Sequence, residues 1–249
     1  MNYIENPNFP KGKVTVAAVS AQAKDVIEAL QSAKICVVPV NPCSNLPEGI
    51  ASHADLQLLH LGGNSMLTAS CSNECEAMLN AIGFNLKKAS APLKETYPCD
   101  CGLNAAILGK NIIMNPIAAN ECLMEHIYSN NMDIIAVKQG YSKCSVLAAC
   151  SDAIITADRG IAKVAEAHGI EVLLIREGEI YLKGYNTGFI GGCGGMIENK
   201  ILGTSGDMKQ LKDFDNIKDF LRNRNIYIEN LGGRTLCDIG GILPLCEEN

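Results

Sequence analysis

His53-Ala-Asp55 places an imidazole and a carboxylate two residues apart. On a strand such side chains share a face, so the pair could act on one substrate, the imidazole moving protons and the carboxylate holding the substrate. Cysteine supplies the other reactive group. The chain has 12 cysteines, and without a secretion signal they are expected to be reduced thiols, most of them small buried hydrophobes such as Cys36 in ICVVPV. Cys71-x-x-x-Cys75 and Cys99-x-Cys101 are the close pairs, and neither has the Cys-x-x-Cys spacing of a zinc ribbon. A thiolate metal site from these four residues is a minor alternative, and no metal or organic cofactor is expected. His60, His126 and His168 read as structural, and Asp158 as a helix N-cap.

The elements that must position these groups recur along the chain. Val14–Val19, a helical pattern over 21–33 and Ile35–Val40 give strand, helix, strand. Next comes a hairpin of 56–61 and 65–69 about Gly62-Gly63-Asn64, then a helix over 73–82. The same order returns at 103–108, 112–114, 118–129 and 134–137. It returns again at 145–149, 153–156, a helix capped by Asp158 and ending at His168, and 171–175. Further strands are expected at 188–190 and near Gly203, followed by a helix near 216–222 and strands at 226–228 and 239–245. One anchor at each hairpin entrance gives His53, Asp100, Cys144, Asn186 and Asp238. Units of this size cannot bury their own faces, so five of them should pack radially with the anchors converging on an axis. In Gly191-Gly192-Cys193-Gly194-Gly195 the glycines suit a tight turn or a close backbone approach better than a phosphate loop, since no Gly-Lys-Ser/Thr follows.

The segment HADLQLLHLGGNSMLTA resembles the His-x-Asp hairpin of the guanidino-group-modifying enzymes, the pentein fold. The series KQGYSKCS, ITADRGI, GYNTGFIGG and DIGGILPL resembles an uncharacterised bacterial group described only by that fold, over roughly residues 50–245. The resemblance implies an α/β pentein-type propeller of five strand-strand-helix-strand repeats around a central site, in one domain spanning 1–249. It also implies a cysteine nucleophile, a histidine and carboxylates that grip a guanidinium.

The family's nucleophile usually lies near the C-terminus, but the stretch from Gly240 to Cys246 has the wrong spacing. Two repeats after His53 stands Cys144, with Gly140 four residues before it as in the family's pattern. Lys143 beside it could favour the thiolate, although neighbours on a strand face opposite ways. Cys237-Asp238-Ile-Gly240-Gly241 resembles the family's acidic residue before paired glycines, so the order is that of a member cyclically shifted by two repeats. Cys144, His53 and Asp238 are therefore the expected catalytic residues. Asp55, Asn186, Asn104 and Lys138 are the expected substrate contacts. Asn186 stands where a second guanidinium-binding aspartate would be expected, which points toward a neutral amide or ureido group unless Asp207 reaches the axis.

Composition narrows the class further. A chain of 249 residues with 47% hydrophobic and 19% charged residues can bury a sizeable core. Its net charge of −6 and scattered basic residues argue against nucleic acid. Met1–Lys13 lacks the apolar stretch of a signal peptide and no window approaches 18 apolar residues, so a cytoplasmic protein without a membrane partner is expected. These expectations define a cysteine-dependent hydrolase or transferase acting on a non-peptide C–N bond of a guanidino, amidino or ureido small molecule. The alternative is a non-catalytic binding module of the same fold. Oligomeric state is not encoded in any motif.

Overall fold

Five segments share one plan, antiparallel strand pair, helix and parallel third strand, and the plan follows from where the sequence places its apolar runs and caps. A computed structural model describes residues 2–69 and 72–248. The first unit is β4 (Leu58–Gly62), β5 (Ser65–Thr68), α3 (Asn73–Ile82) and β6 (Asn85–Lys88), with β4 antiparallel and β6 parallel to β5. The second is β7 (Ala106–Leu108), β8 (Asn111–Met114), α4 (Glu121–Ser129) and β9 (Asp133–Ala136), and the third is β10 (Leu147–Cys150), β11 (Ala153–Thr156), α6 (Arg159–Ala167) and β12 (Glu171–Leu174). The fourth is β13 (Gly194–Glu198), β14 (Ile201–Gly206), α7 (Phe214–Arg222) and β15 (Tyr227–Gly233).

The fifth unit is assembled from both ends of the chain. β16 (Ile242–Glu248) pairs antiparallel with β2 (Lys13–Ser20), which continues through α1 (Lys24–Ser32) to β3 (Cys36–Val40), parallel to β2. The two-residue β1 (Asn2–Tyr3) adds to the outer side of β16, and a bridge between Glu198 and Lys13 joins the fourth and fifth units into one sheet of seven strands.

Strand alternation sends neighbouring residues of one strand into different cores. In β8, Ile112 packs with Leu67, Leu103 and Leu123, between the first and second units. Ile113 packs instead with Val146, Ile154 and Ile161, between the second and third. The third and fourth units share Leu147, Ile155, Leu202 and Leu221, and the fourth and fifth share Val19, Leu30, Ile197 and Leu231. The fifth and first share Val16, Leu245, Leu58 and Leu79, so the order of sharing returns to its start. Caps set the helix starts: Ser72 accepts from the Cys75 amide, Asn120 from Cys122, and Asp158 from Gly160 and Ile161, as expected for Asp158.

Three expectations need correction. His53 and Asp55 are not on a strand: His53 caps the single helical turn α2 (Ala54–Gln57), which leads into β4. Cys144 lies likewise on a single turn, α5 (Ser142–Ser145), ahead of β10. The fourth hairpin begins at Gly194, and residues 190–193 form a short 3-10 turn. Gly194 and Gly195 pair with Thr204 and Gly203 as the start of the strand, where the carbonyls of Gly203 and Ile242 leave no room for a side chain. Among the described residues no helix is long and apolar enough to cross a membrane.

Because Asn2 lies opposite Glu247, the ends can be joined without disturbing the sheet. A permutant with a short Gly/Ser linker there, opened at the turn between Gly109 and Lys110, is expected to keep the near-UV circular dichroism and cooperative unfolding of the parent. Deleting residues 242–249 is expected to abolish that cooperative transition.

Candidate active site

The segments that enter the five units touch one another in succession. The Asp55 amide donates to the Gly240 carbonyl at 3.2 Å, and Asn104 Nδ2 donates to the Asp55 carbonyl at 3.0 Å. Asn104 Oδ1 accepts from the amides of Lys143, at 2.8 Å, and Cys144, at 3.2 Å. Lys143 Nζ reaches the Gly191 carbonyl at 3.5 Å, and the Gly192 carbonyl accepts from the amides of Ile239 and Gly241. This chain of contacts brings together residues nearly 190 positions apart in sequence.

At its centre Cys144 Sγ donates to Asp55 Oδ2 at 3.0 Å and accepts from Asn104 Nδ2 at 3.2 Å. His53 Nδ1 faces Asp238 Oδ1 at 3.8 Å, an ion-pair distance too long for a hydrogen bond. Asp238 is fixed by amides from both sides, Phe189 to Oδ2 at 2.9 Å and Gly240 to Oδ1 at 3.1 Å. Glycine is required against these groups. A Cβ on Gly192 would lie 1.9 Å from Asp238 Oδ1, and Gly240, at φ +73°, approaches His53 so closely that a Cβ would lie 2.4 Å from its own.

All five polar residues are buried, none more than 5% exposed. Burial raises the Cys144 thiol well above the ordinary cysteine range, and the charges of Asp55 and Asp238 push it further, with the Asn104 hydrogen bond opposing. The thiol therefore holds its proton and donates it to Asp55. Burial also raises Asp238, opposed by His53 and reinforced by Asp55. Asp55 Oδ1 and His53 Nδ1 are buried without a hydrogen-bond partner. Such orphaned atoms are uncommon, and here they face a cluster with acceptor capacity to spare, since each carboxylate can take about four hydrogen bonds.

A cavity of about 590 Å³ is lined by His53 and Asp238, while Cys144 and Asp55 do not line it. A cavity of about 20 Å³, enough for about one water, lies behind Asp55, against Lys143 and His60. His53, Asp55 and Cys144 also offer one ligand atom each within 4.8 Å of one another. Holding a divalent ion there would require Cys144 to lose its proton.

Not every expected contact lies here. Lys138 is exposed, and its backbone carbonyl accepts from Asn115 Nδ2 and the Tyr97 hydroxyl. Asn186 is exposed, because the fourth entrance is made by Gly191 and Gly192, whose backbones press against Val146 and Asp238. Asp207 caps the 3-10 turn Met208–Gln210. Asp100 accepts from the Tyr141 hydroxyl away from the cluster, and Asn104 takes the place expected for it. Asn104 spends its amide on protein groups, so it holds the site together and is not free for substrate. Cys246 packs in the core between the fifth and first units, where burial pushes its thiol up to about 11. Of the proposed metal set, Cys99 is exposed, Cys75 and Cys101 are buried in different cores, and Cys71 lies outside the described residues. Lys143 is the buried neighbour that sequence reasoning undervalued: on a helical turn it runs under the cluster instead of away from it.

The architecture is an α/β fold matching the pentein-fold structures. An amidinotransferase from Microseira wollei in the saxitoxin biosynthetic pathway superposes with a TM-score of 0.60 at 11% identity, over 98% of this chain and 97% of that one. The inosamine-phosphate amidinotransferase of Streptomyces griseus gives 0.61 at 10%, over 100% and 97%. The agmatine deiminase of C. jejuni gives 0.55 at 10%, over 93% and 90%. By sequence, the chain belongs to the family of unknown function DUF6873, matched over residues 18–243. No curated protein matches it in sequence.

Two substitutions report on the electrostatics. Asp55→Asn removes a charge that raises the thiol, so iodoacetamide should alkylate Cys144 faster than in the parent at neutral pH, about ten-fold for each unit the pKa falls. In the parent the rate should keep rising with pH beyond the ordinary cysteine range. Asn104→Ala removes the hydrogen bond that lowers the thiol, so it should slow the same reaction. It also strands the amides of Lys143 and Cys144, at a cost of about 1–3 kcal/mol in denaturant unfolding.

Proposed function

We propose that the chain is a cysteine-dependent enzyme acting on a non-peptide C–N bond of a guanidino or amidino small molecule, working as a pentein-type five-unit α/β propeller in one domain. The observation that carries this reading is the meeting of Cys144, His53, Asp55 and Asp238 from three entrances in one buried cluster, with His53 and Asp238 on an open cavity. The enzymes named among the structural relatives, amidinotransferases and an agmatine deiminase, support the class. Two carboxylates with unused acceptor capacity favour a cationic head group over the neutral ureido group that Asn186 suggested, since Asn186 lies outside the cluster.

Charge makes the nucleophile conditional on substrate. A planar amidinium spanning Asp55 and Asp238 takes over the acceptor that now holds the thiol proton and cancels the charges that raise its pKa. Cys144 then loses its proton to His53 and attacks the central carbon, forming a C–S bond and a tetrahedral adduct. His53 returns the proton to the departing nitrogen as the C–N bond breaks. In hydrolysis a water next gives its proton to His53 and its oxygen to the carbon, and the thiolate leaves. An amine in place of that water makes the reaction a transfer. Asn104 positions Asp55 and Cys144, and Lys143 offsets part of the buried negative charge. No step calls for a metal or organic cofactor, and no nucleic-acid or membrane partner enters the scheme. Reduced thiols of this kind fit a cytoplasmic setting.

A non-catalytic binding module would share the cleft and the protonated, buried thiol. Labelling every cysteine with 2-chloroacetamidine and reading the rates by peptide mass spectrometry separates the two. The enzyme reading expects fast modification of Cys144 that collapses in His53→Ala. Uniform slow labelling would favour the binding module, and selective labelling of Cys246 would overturn the choice of nucleophile.

A further inference from the structure

The wall of the large cavity is graded in polarity. At its inner end stand Asp238 and His53, the latter 3% exposed and with Nδ1 unpartnered. Outward come neutral donors and acceptors. Ser20 and Ser52 share a hydrogen bond of 2.6 Å, and Ser52 donates to Gln22 Oε1 at 3.2 Å. At the rim stand Lys24 and Arg234, both exposed and neither engaged by its side chain in an ion pair or hydrogen bond among the described residues. Lys183, also on the rim, is bound to Glu48, and Asp25 is the opposing charge in the outer wall. The first turn of α1 forms part of the same wall, and its N-cap residue, Ala23, supplies no side-chain hydrogen bond. The cavity thus runs from a buried anionic cluster to an outer end with two unpaired cations and the positive end of a helix dipole.

We infer that this cavity selects a bipolar substrate: a cationic amidino or guanidino head at its inner end, against Asp238, joined by a short linker to an oxyanion tail, carboxylate or phosphate, held by Lys24 and Arg234. This inference rests on the proposed function, which fixes the head; the cavity wall fixes the tail. The two ends reinforce orientation. A head-first substrate gains attraction at both ends, whereas a reversed one sets its anion against the buried Asp238 carboxylate and its cation against Lys24 and Arg234. Substrates without the anion, such as simple alkylguanidines, would bind more weakly.

The test uses three reagents with one reactive head, in which a 2-chloroacetimidoyl group is attached to the nitrogen of butylamine, of 4-aminobutanoate or of 3-aminopropylphosphonate. Alkylation of Cys144 displaces chloride, and its second-order rate is read by peptide mass spectrometry beside that of 2-chloroacetamidine. The expected result is an advantage of about ten-fold or more for an anionic reagent over the butyl reagent, corresponding to about 1.4 kcal/mol. It should shrink with added salt and fall toward unity in Lys24→Ala/Arg234→Ala. Whether the carboxylate or the phosphonate reacts faster identifies the tail. If chloroacetamidine labels Cys144 selectively but the three tailed reagents react alike, the tail assignment is wrong and the proposed function stands. An advantage that survives in the double variant also overturns it. If no reagent selects Cys144, the proposed function falls and the tail assignment falls with it.

Discussion

One side-chain amide holds the site together. Asn104 gives its two donors to the Asp55 carbonyl and the Cys144 sulfur and its oxygen to two consecutive amides of the next entrance. Three entrances thereby share one residue. Buried backbone and side-chain polar groups must find partners, and the entrances are loops and single helical turns that cannot satisfy themselves as a sheet does. A branched polar side chain at their junction meets that demand, and the same contacts fix the distance between thiol and carboxylate.

The cluster is electrostatically unfinished. Asp238 is buried beside Asp55, whose charge raises it, and the structure answers with His53 to one side and amides from Phe189 and Gly240. These leave Asp55 Oδ1 unpartnered and the thiol protonated. A site relaxed in isolation would have spent that acceptor internally. One that keeps it free carries a standing cost in buried, unmet acceptor capacity.

Much of this was legible in the sequence, for reasons unlike those first apparent. His53 and Asp55 meet as expected, yet by a helical turn and not by strand alternation, since four residues are too few for a periodic pattern to show. Cys144 and Asp238 emerged from their place in the repeat, which the strand pairings support unit by unit. Lys138 and Asn186 did not join them. At the fourth entrance the sequence offers a conspicuous polar residue, but the packing demands the smallest one. Gly191 and Gly192 fill a space in which a Cβ would strike Val146 or Asp238. The close backbone approach read from the glycine run was the better guide to that entrance.

The fifth unit is built from both ends of the chain. β16 lies between β1 and β2, so the last strand of the chain is an inner strand of its sheet, and the two ends pair with each other. Each core is shared by two units, one of them by the fifth and the first. A start within the fifth unit separates Asp238 from His53 by most of the sequence while leaving them 3.8 Å apart in space. Distance from the C-terminus alone leads to Cys246, which the closing strand buries in a core. Counting by unit leads to Cys144, which stands at the third entrance with its thiol on Asp55.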